Sequence, residues 1–189
     1  MNSDQKSKSL KELIKNDMYR YDGAVSFKDM LKNYLQEPGA NYMVWFRLSQ
    51  RYNNVLLKMI LRRKMFKFGM EIFPATDIKE GFYIGHFGGI IINPLVKIGK
   101  NCNISQGVTI GRSSRGKLVG TPTIGDNVYI GPGVKIMGNI TIGNNVAIGA
   151  NAVVTKSFGD NSVIAGTPAK LLSSDGIEGY IEYRVEELS

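Results

Sequence analysis

The chain contains a single histidine, His86, within the segment IGHFGG. The ordinary pKa of imidazole lies near neutral pH, so histidine is well suited to remove a proton from a hydroxyl group. A surface histidine without a catalytic task is the alternative. We therefore take His86 as the candidate general base of a reaction at an alcohol.

Large aliphatic residues recur every six positions over much of the chain. A period of six fits neither a helix nor an isolated strand, but it fits a chain that wraps a triangular prism with one short strand per face. A second, often smaller residue recurs four places later. The inward positions predicted from the period are Ile72, Ile78, Ile84, Ile90, Ile98, Ile104, Ile110, Ile124, Ile130, Ile136, Ile142, Ile148 and Val154. The sequence thus predicts a mainly β solenoid, with an ordinary β-sandwich as the alternative.

Two steps interrupt this period. The chain takes eight residues from Ile90 to Ile98 and fourteen from Ile110 to Ile124. The longer gap is polar and glycine-rich, and we expect residues 111–122 to leave the prism as an excursion loop. Insertions of this kind tend to collect on the binding face of a solenoid. Gly88 lies four residues after Ile84, so the same spacing predicts an inward position for it.

Charge divides the chain into three regions. Residues 1–70 hold 14 Lys and Arg against 6 Asp and Glu, which accounts for the whole net charge of +8. We expect this region to be a basic helical segment, followed by the β-helix over 71–172 and an acidic C-terminal tail over 173–189. The tail is expected to be a helix or a loose end.

Helices are predicted over 8–20 and 26–36, with Ser26 as a cap of the second. The tripeptide Glu37-Pro38-Gly39 is a strong stop signal. Residues 42–68 mix apolar and basic side chains, and Asn53-Asn54 divides them into two helices. These helices either pack on each other and on neighbouring subunits, or lie on a membrane surface that attracts their basic side chains.

Several partners and locations are disfavoured by composition. No apolar run reaches 18 residues, and the charged N-terminus lacks the apolar stretch of a signal peptide. A single cysteine suits a reducing compartment. We expect a cytoplasmic protein, peripheral at the inner face of the membrane under the second interpretation of 42–68. We find no nucleic-acid-binding motif.

Three segments carry a family resemblance: EIFPATDIKEGFYIGHFGG, TIGDNVYIGPGVKIMGN and AGTPAK. They resemble the serine acetyltransferases, and resemble most their short relatives, the colanic-acid-type O-acetyltransferases of bacterial polysaccharide clusters. The resemblance covers about residues 38–172. It implies a left-handed parallel β-helix with hexapeptide repeats, a homotrimer with active sites between subunits, and acetyl-CoA as the donor.

The resemblance also implies roles for individual residues. Glu71, fifteen residues before His86, would orient the imidazole, although a solvated carboxylate is the alternative. The glycines of the donor site could equally be structural turns. The residues that correspond to coenzyme A contacts are Gly131, Pro132, Gly133, Gly149, Ala150, Thr167, Pro168 and Lys170, with Arg112 and Ser113 of the excursion as further candidates.

A covalent or metal-dependent mechanism is not expected. Cys102 lies four residues after the inward Ile98, so we expect a buried thiol that behaves as a small apolar group. With no other activated nucleophile, direct transfer is favoured. One histidine cannot supply the three imidazoles of the zinc enzymes that share this architecture, so no metal is expected.

The chain departs from the serine enzymes at the acceptor. They carry Arg-His-Pro where this chain has Gly120-Thr121-Pro122, and an acid where it has Gly85. An amino acid would lose partners for its carboxylate and its ammonium group. We therefore expect a saccharide acceptor, on a surface polysaccharide or its precursor. Serine O-acetylation for cysteine synthesis is the alternative, and a non-catalytic trimeric scaffold is the alternative outside enzymes.

Overall fold

Four helices and a solenoid of short strands make up the described part of this computed structural model, residues 8–188. The helices are α1 (Leu10–Tyr19), α2 (Phe27–Gln36), α3 (Pro38–Arg51) and α4 (Val55–Phe68). The strands are β1 (Met70–Ile72), β2 (Asp77–Ile78), β3 (Tyr83–Ile84), β4 (Ile90–Ile92), β5 (Lys97–Ile98), β6 (Asn103–Ile104), β7 (Thr109–Gly111), β8 (Thr123–Ile124), β9 (Tyr129–Ile130), β10 (Lys135–Met137), β11 (Thr141–Ile142), β12 (Ala147–Ile148), β13 (Val153–Val154), β14 (Val163–Ala165) and β15 (Lys170–Ser173). A 3₁₀ helix at Val185–Leu188 ends the described chain.

Side-chain caps fix where the helices begin. The Ser26 hydroxyl accepts a hydrogen bond from the backbone N–H of Asp29 at the start of α2, which confirms the predicted cap. Asn54 caps α4, so the predicted division at Asn53-Asn54 is also confirmed. The stop at Glu37-Pro38-Gly39 is shorter than predicted. Only Glu37 lies outside a helix, because proline fits the first position of α3, where its missing N–H would have no partner.

The strands form three parallel sheets that wrap about five turns of a prism. Sheet A contains β1, β4, β7, β10 and β13, and sheet B contains β2, β5, β8 and β11. Sheet C contains β3, β6, β9, β12 and β14, with β15 added antiparallel at its end. This confirms the predicted mainly β solenoid with a helical N-terminal segment. The left-handed sense implied by the resemblance stays a prediction.

Columns of buried aliphatic residues fill the prism, one column per sheet, with each residue in register with the next turn. Burying such side chains is the main favourable contribution to the fold. The columns are Ile72, Ile92, Ile110, Ile136 and Val154 in sheet A; Ile78, Ile98, Ile124 and Ile142 in sheet B; and Ile84, Ile104, Ile130, Ile148 and Ile164 in sheet C.

The inward position predicted for Ile90 is confirmed, but its place in the six-residue register is wrong. Ile92, not Ile90, pairs with Ile72 and Ile110, whereas Ile90 pairs with Met70. Both isoleucines of β4 point inward, because side chains two apart share one face of a strand. A period alone cannot separate two isoleucines two residues apart.

The eight-residue step therefore lies between Ile84 and Ile92 rather than between Ile90 and Ile98. Gly88, predicted to point inward, is instead part of the enlarged corner and has a φ of 103°. The two extra residues therefore fall in the corner that carries His86.

A buried ion pair joins the helices to the first turn of the prism. Arg47 donates from Nε to Asp17 Oδ2 over 2.7 Å, and both side chains are almost fully buried. Arg47 also donates to the carbonyl oxygens of Ile78 and Lys79, while Asp17 accepts from the N–H of Gly81.

None of the helices between residues 8 and 188 is long and apolar enough to cross a membrane.

The C-terminal residues 175–188, named the strap here, run back along sheet C towards the helices. At one end the N–H of Gly176 donates to the carbonyl of Asn161 over 3.0 Å. At the other the N–H of Val185 donates to Asn101 Oδ1, also over 3.0 Å. Apart from the 3₁₀ helix at its end, the strap is thus neither of the two predicted forms, a helix or a loose end. Its two isoleucines bury themselves on the outer face of the sheet, namely Ile177 and Ile181 against Ala147, Tyr129 and Val163.

Candidate active site

His86 lies at the edge where the chain passes from sheet C to sheet A, between β3 and β4. We call this the C/A edge; its first four turns are residues 85–89, 105–108, 131–134 and 149–152, and the hairpin turn 166–169 between β14 and β15 stacks on the fourth as its fifth turn. The imidazole is exposed. Among residues 8–188 it takes part in no hydrogen bond, so both nitrogens are open to a ligand.

Most of the predicted coenzyme A contacts lie on the same edge as His86. Residues 131–133, 149–150 and 167–168 occupy its third, fourth and fifth turns. Turns of a parallel solenoid are separated by about 4.8 Å, so the distance from the first turn to the fifth is about 19 Å. Lys170 is exposed in β15 just beyond the last turn. The structure therefore lines up these candidates in one direction from His86.

The glycines on this edge have a structural role. An added Cβ on Gly131 would lie 2.8 Å from the carbonyl oxygen of Ile148, and on Gly149 it would lie 2.9 Å from the Cβ of Ala165. On Gly133, whose φ is 72°, it would overlap the side chain of the next turn. Glycine is therefore needed to stack the turns closely, which supports the structural alternative without removing the other.

The excursion over 111–122 leaves the prism at the opposite edge of sheet A, between β7 and β8. It is a small hairpin in which Ser113 and Gly120 exchange backbone hydrogen bonds of 3.0 and 3.1 Å. Thr121 Oγ1 donates to the carbonyl of Leu95 over 3.1 Å. Within one chain the structure does not bring Arg112 or Ser113 onto the edge of His86.

Glu71 lies on the outer face of sheet A, exposed and opposite Ile91. It has no hydrogen-bond partner in the described chain, and it lines a different cavity from His86, about 1020 Å³ between α4 and sheet A. The backbones that carry the two residues do touch. An added Cβ on Gly69 would lie 3.4 Å from the Cα of Gly88, so each functional residue is two positions from that contact.

His86 opens onto a cavity of about 470 Å³ that the sequence did not reveal. Three separate parts of the chain close it: the outer face of sheet C, the turn after α1 together with Glu37, and the strap. Neither a period nor a motif connects these parts. Its main lining residues besides His86 are Arg20, Tyr21, Asp22, Glu37, Tyr83, Asn103, Tyr129, Tyr180, Glu182 and Tyr183.

Carboxylates outnumber cations in this cavity. Burial is the main cause that raises the pKa of Tyr83, and the carboxylates of Glu37, Asp22 and Glu182 add to it. The guanidinium of Arg20 opposes them. The walls therefore present mostly hydrogen-bond acceptors, which suits a ligand that carries hydroxyl or ammonium donors.

The one cation that lines this cavity within residues 8–188 is already engaged. Arg20 is only 4% exposed, and burial lowers its pKa. It donates to the carbonyl oxygen of Glu182 and to the side-chain oxygen of Asn103, while its Nε has no partner among the described residues. Arg20 thus connects the end of α1, sheet C and the strap.

Cys102 is fully buried, as its spacing predicts. Burial raises the pKa of its thiol to about 12, and Sγ donates to the carbonyl of Gly125 over 3.2 Å. A thiol in this state is not a nucleophile near neutral pH. Within residues 8–188, no three His, Cys, Asp or Glu side chains cluster closely enough to hold a metal ion.

Comparisons with known proteins agree with this architecture. Residues 121–156 match the family model "Bacterial transferase hexapeptide (six repeats)". A serine acetyltransferase of Staphylococcus xylosus is 38% identical over 136 residues, which are 72% of this chain and 63% of that protein. The match thus spans less than two thirds of this relative's length.

Solved structures give the same result over more of the chain. A hexapeptide-repeat serine O-acetyltransferase from Brucella melitensis is 30% identical, with a TM-score of 0.70 over 88% of this chain and 67% of that one. A serine acetyltransferase from Brucella abortus in complex with coenzyme A is 28% identical, with a TM-score of 0.72 over 92% of this chain and 70% of that one.

Proposed function

Because the chain belongs to the hexapeptide-repeat acyltransferases of the serine acetyltransferase type, we propose that it transfers an acetyl group from acetyl-CoA to a hydroxyl group. The observation that carries the proposal is the exposed imidazole of His86, at one end of an edge lined by small residues and on the rim of a cavity. The coenzyme A complex of the Brucella abortus relative supports the donor.

His86 acts as the general base in this proposal. Its imidazole takes the hydroxyl proton as the oxygen attacks the thioester carbonyl, and it returns that proton to the sulfur of coenzyme A as the C–S bond breaks. Acetyl passes directly to the acceptor, since the Cys102 thiol is buried and protonated. The step forms one ester, breaks one thioester and needs no other reactant.

We propose Glu71 as the residue that orients the imidazole. The contact between Gly69 and Gly88 brings the two chain segments together, and a glutamate side chain is long enough to reach around it. A carboxylate that accepts from one ring nitrogen fixes the tautomer in which the other nitrogen is a base.

Acetyl-CoA binds along the C/A edge in this proposal. The small exposed residue Ala150 lets the pantetheine arm approach the backbone, Thr167 and Pro168 border its outer part, and Lys170 pairs with a phosphate. Hexapeptide-repeat acetyltransferases are typically trimers. A trimer with sites between subunits would bring Arg112 and Ser113 of one excursion to the C/A edge of the next subunit.

Serine is the first candidate acceptor. The relatives described above are named serine acetyltransferases, and the carboxylates of Asp22 and Glu37 in the cavity could receive an ammonium group. These two carboxylates would replace the acid that the serine enzymes carry where this chain has Gly85. The acetylated product would be O-acetylserine.

A saccharide hydroxyl is the second candidate, and the acceptor residues favour it. Gly85 and Gly120-Thr121 stand where the serine enzymes carry an acid and an Arg-His pair. The only cation lining the cavity in the described chain is Arg20, whose guanidinium already donates two hydrogen bonds. A serine carboxylate would enter a cavity with three carboxylates, whereas sugar hydroxyls donate to carboxylates without that repulsion.

The acceptor is decided by measuring release of the coenzyme A thiol from acetyl-CoA with serine and with a panel of sugars and nucleotide sugars. Mass spectrometry of the product confirms the acetyl ester. Turnover with serine alone establishes serine, and turnover with sugars alone establishes the saccharide. No acetyl transfer to either class would favour the scaffold alternative and defeat the proposal.

Helix α4 has a separate candidate partner. Its exposed apolar side chains include Val55 and Phe66, 73% and 75% exposed, and they alternate with Arg62 and Lys67. Helix α3 is different, because its apolar face packs into the core. We propose that α4 contacts either an adjoining subunit or an anionic membrane at the inner face. Salt-sensitive flotation with phosphatidylserine vesicles supports the membrane, and its absence leaves the subunit.

A further inference from the structure

We propose that the strap, residues 175–188, is a wall of the acceptor site, and that Glu182 and Tyr183 bind the acceptor as it approaches His86. This inference rests on the proposed transfer to a hydroxyl acceptor. It adds a part of the chain that lies outside the β-helix and carries no recognisable motif. The acceptor it fits is one that donates hydrogen bonds from groups beside its reactive hydroxyl.

The strap is held in place along its whole course. Its ends are tied to Asn161 and Asn101, and the ring of Tyr180 packs against that of Tyr129 with centroids 4.8 Å apart. Asn103 Nδ2 donates to the carbonyl of Tyr180 over 3.2 Å. A wall fixed in this way is already arranged before a ligand binds, which lowers the entropic cost of binding.

The side chain of Glu182 is exposed and lines the cavity, so its carboxylate can bind a ligand. Its carbonyl oxygen already accepts from Arg20, so the backbone is fixed while the carboxylate stays exposed. That carboxylate also acts on the phenol of Tyr83, together with Asp22 and Glu37. The acids therefore gather around one side of the cavity that His86 borders.

Tyr183 has a backbone conformation that is uncommon for its residue type. Its φ is 51°, in the left-handed region, where a side chain other than glycine or asparagine is disfavoured by about 1 kcal/mol. The ring packs edge-on against Tyr19 and fills the space beside Gly23, where an added Cβ would lie 3.1 Å from it. Such a conformation persists where surroundings enforce it, and here it turns the ring towards the cavity wall.

The first test compares two charge-neutralising variants within the strap. Glu182→Gln should raise the KM for the acceptor about tenfold, because a neutral amide oxygen replaces a charged hydrogen-bond acceptor, and leave the KM for acetyl-CoA unchanged. Glu178→Gln is the matched control, because Glu178 is exposed on the same segment but does not line the cavity. Equal acceptor KM values for both variants and the wild type would overturn the inference.

The second test needs no acceptor. Because His86 is the only histidine, its reaction with diethyl pyrocarbonate can be followed by absorbance without interference from another imidazole. Tyr183→Ala opens the wall and should raise the rate of that reaction at least about twofold, whereas Glu178→Gln should not. Circular dichroism confirms that both variants are folded. An unchanged rate in Tyr183→Ala would show that the strap does not shield this cavity.

The two tests separate failure of the inference from failure of the proposed function. A wild-type chain that acetylates neither serine nor a sugar defeats the function, and the pyrocarbonate rates then decide the position of the strap alone. A wild-type chain that transfers acetyl, with strap variants that match it in both assays, defeats only the inference.

Discussion

Arg47 and Asp17 form an ion pair of 2.7 Å between α3 and α1, with almost no exposure of either side chain. The same two residues bond the backbone of the first turn of the prism. This buried pair, together with buried contacts such as the hydrogen bond from the Tyr42 hydroxyl to the carbonyl oxygen of Ile72, holds the helical segment against the β-helix. The turn after α1, which carries Asp22 into the cavity of His86, follows the helix on which Asp17 lies.

Asp17→Asn should lower the free energy of unfolding by about 3–5 kcal/mol, because it leaves the buried Arg47 without its counter-charge. Urea denaturation at a fixed protein concentration measures the change. The control is Asp175→Asn at an exposed position, which should shift the free energy by less than about 0.5 kcal/mol. Equal stability of the two variants would contradict the structural role of the pair.

Glu71→Gln should reduce kcat about tenfold or more and leave both KM values unchanged, because an amide orients the imidazole without stabilising its charged form. Glu71→Asp should restore part of the rate, since it keeps the carboxylate on a shorter arm. Steady-state kinetics with acetyl-CoA test this. A wild-type kcat in Glu71→Gln would show that Glu71 is a solvated carboxylate without a role in orienting His86, which is the alternative given by the sequence.

Ala150→Phe should raise the KM for acetyl-CoA about tenfold or more, because a ring would occupy the C/A edge where the pantetheine arm is proposed to bind. Thr155→Phe is the matched control on an equally exposed corner at another edge of the prism. Calorimetric titration with coenzyme A gives the same comparison without turnover. Equal affinities of both variants for coenzyme A would show that the donor does not bind along the C/A edge.

Cys102 should make stability depend on alkaline pH. Its pKa is raised to about 12 in the folded chain, so between the unfolded pKa and that value only the unfolded thiol ionises. The free energy of unfolding should fall by roughly 1.5 kcal/mol from pH 8 to pH 10 relative to Cys102→Ala, which lacks the thiol. Parallel pH profiles for the two proteins would contradict the burial of the thiol.

The architecture could be predicted because buried aliphatics mark each face of the prism. The register failed at one place, where Ile90 and Ile92 both point inward and a six-residue period fits either. That failure concealed the two-residue enlargement of the corner that carries His86. The break at Asn53-Asn54 was predicted correctly, and the structure has a hairpin within the polar segment 111–122, since polar and turn-forming residues mark both places directly.

The cavity beside His86 could not be predicted. Arg20 and Glu182 meet across 162 positions of sequence, and Asp22 reaches the same cavity from the turn after a helix. Such contacts depend on how whole segments pack, which leaves no local pattern. The strap was missed for the same reason: the sequence suggested only a helix or a loose end, and two isoleucines four residues apart were not enough to predict where it binds.

The central claim is that His86 is the general base for acetyl transfer. The most direct measurement is the rate of acetyl transfer from acetyl-CoA by His86→Ala, with serine and sugars as acceptors, alongside calorimetric binding of coenzyme A. We predict a loss of at least about a hundredfold in kcat with coenzyme A affinity unchanged. A variant that retains the wild-type rate would contradict the account.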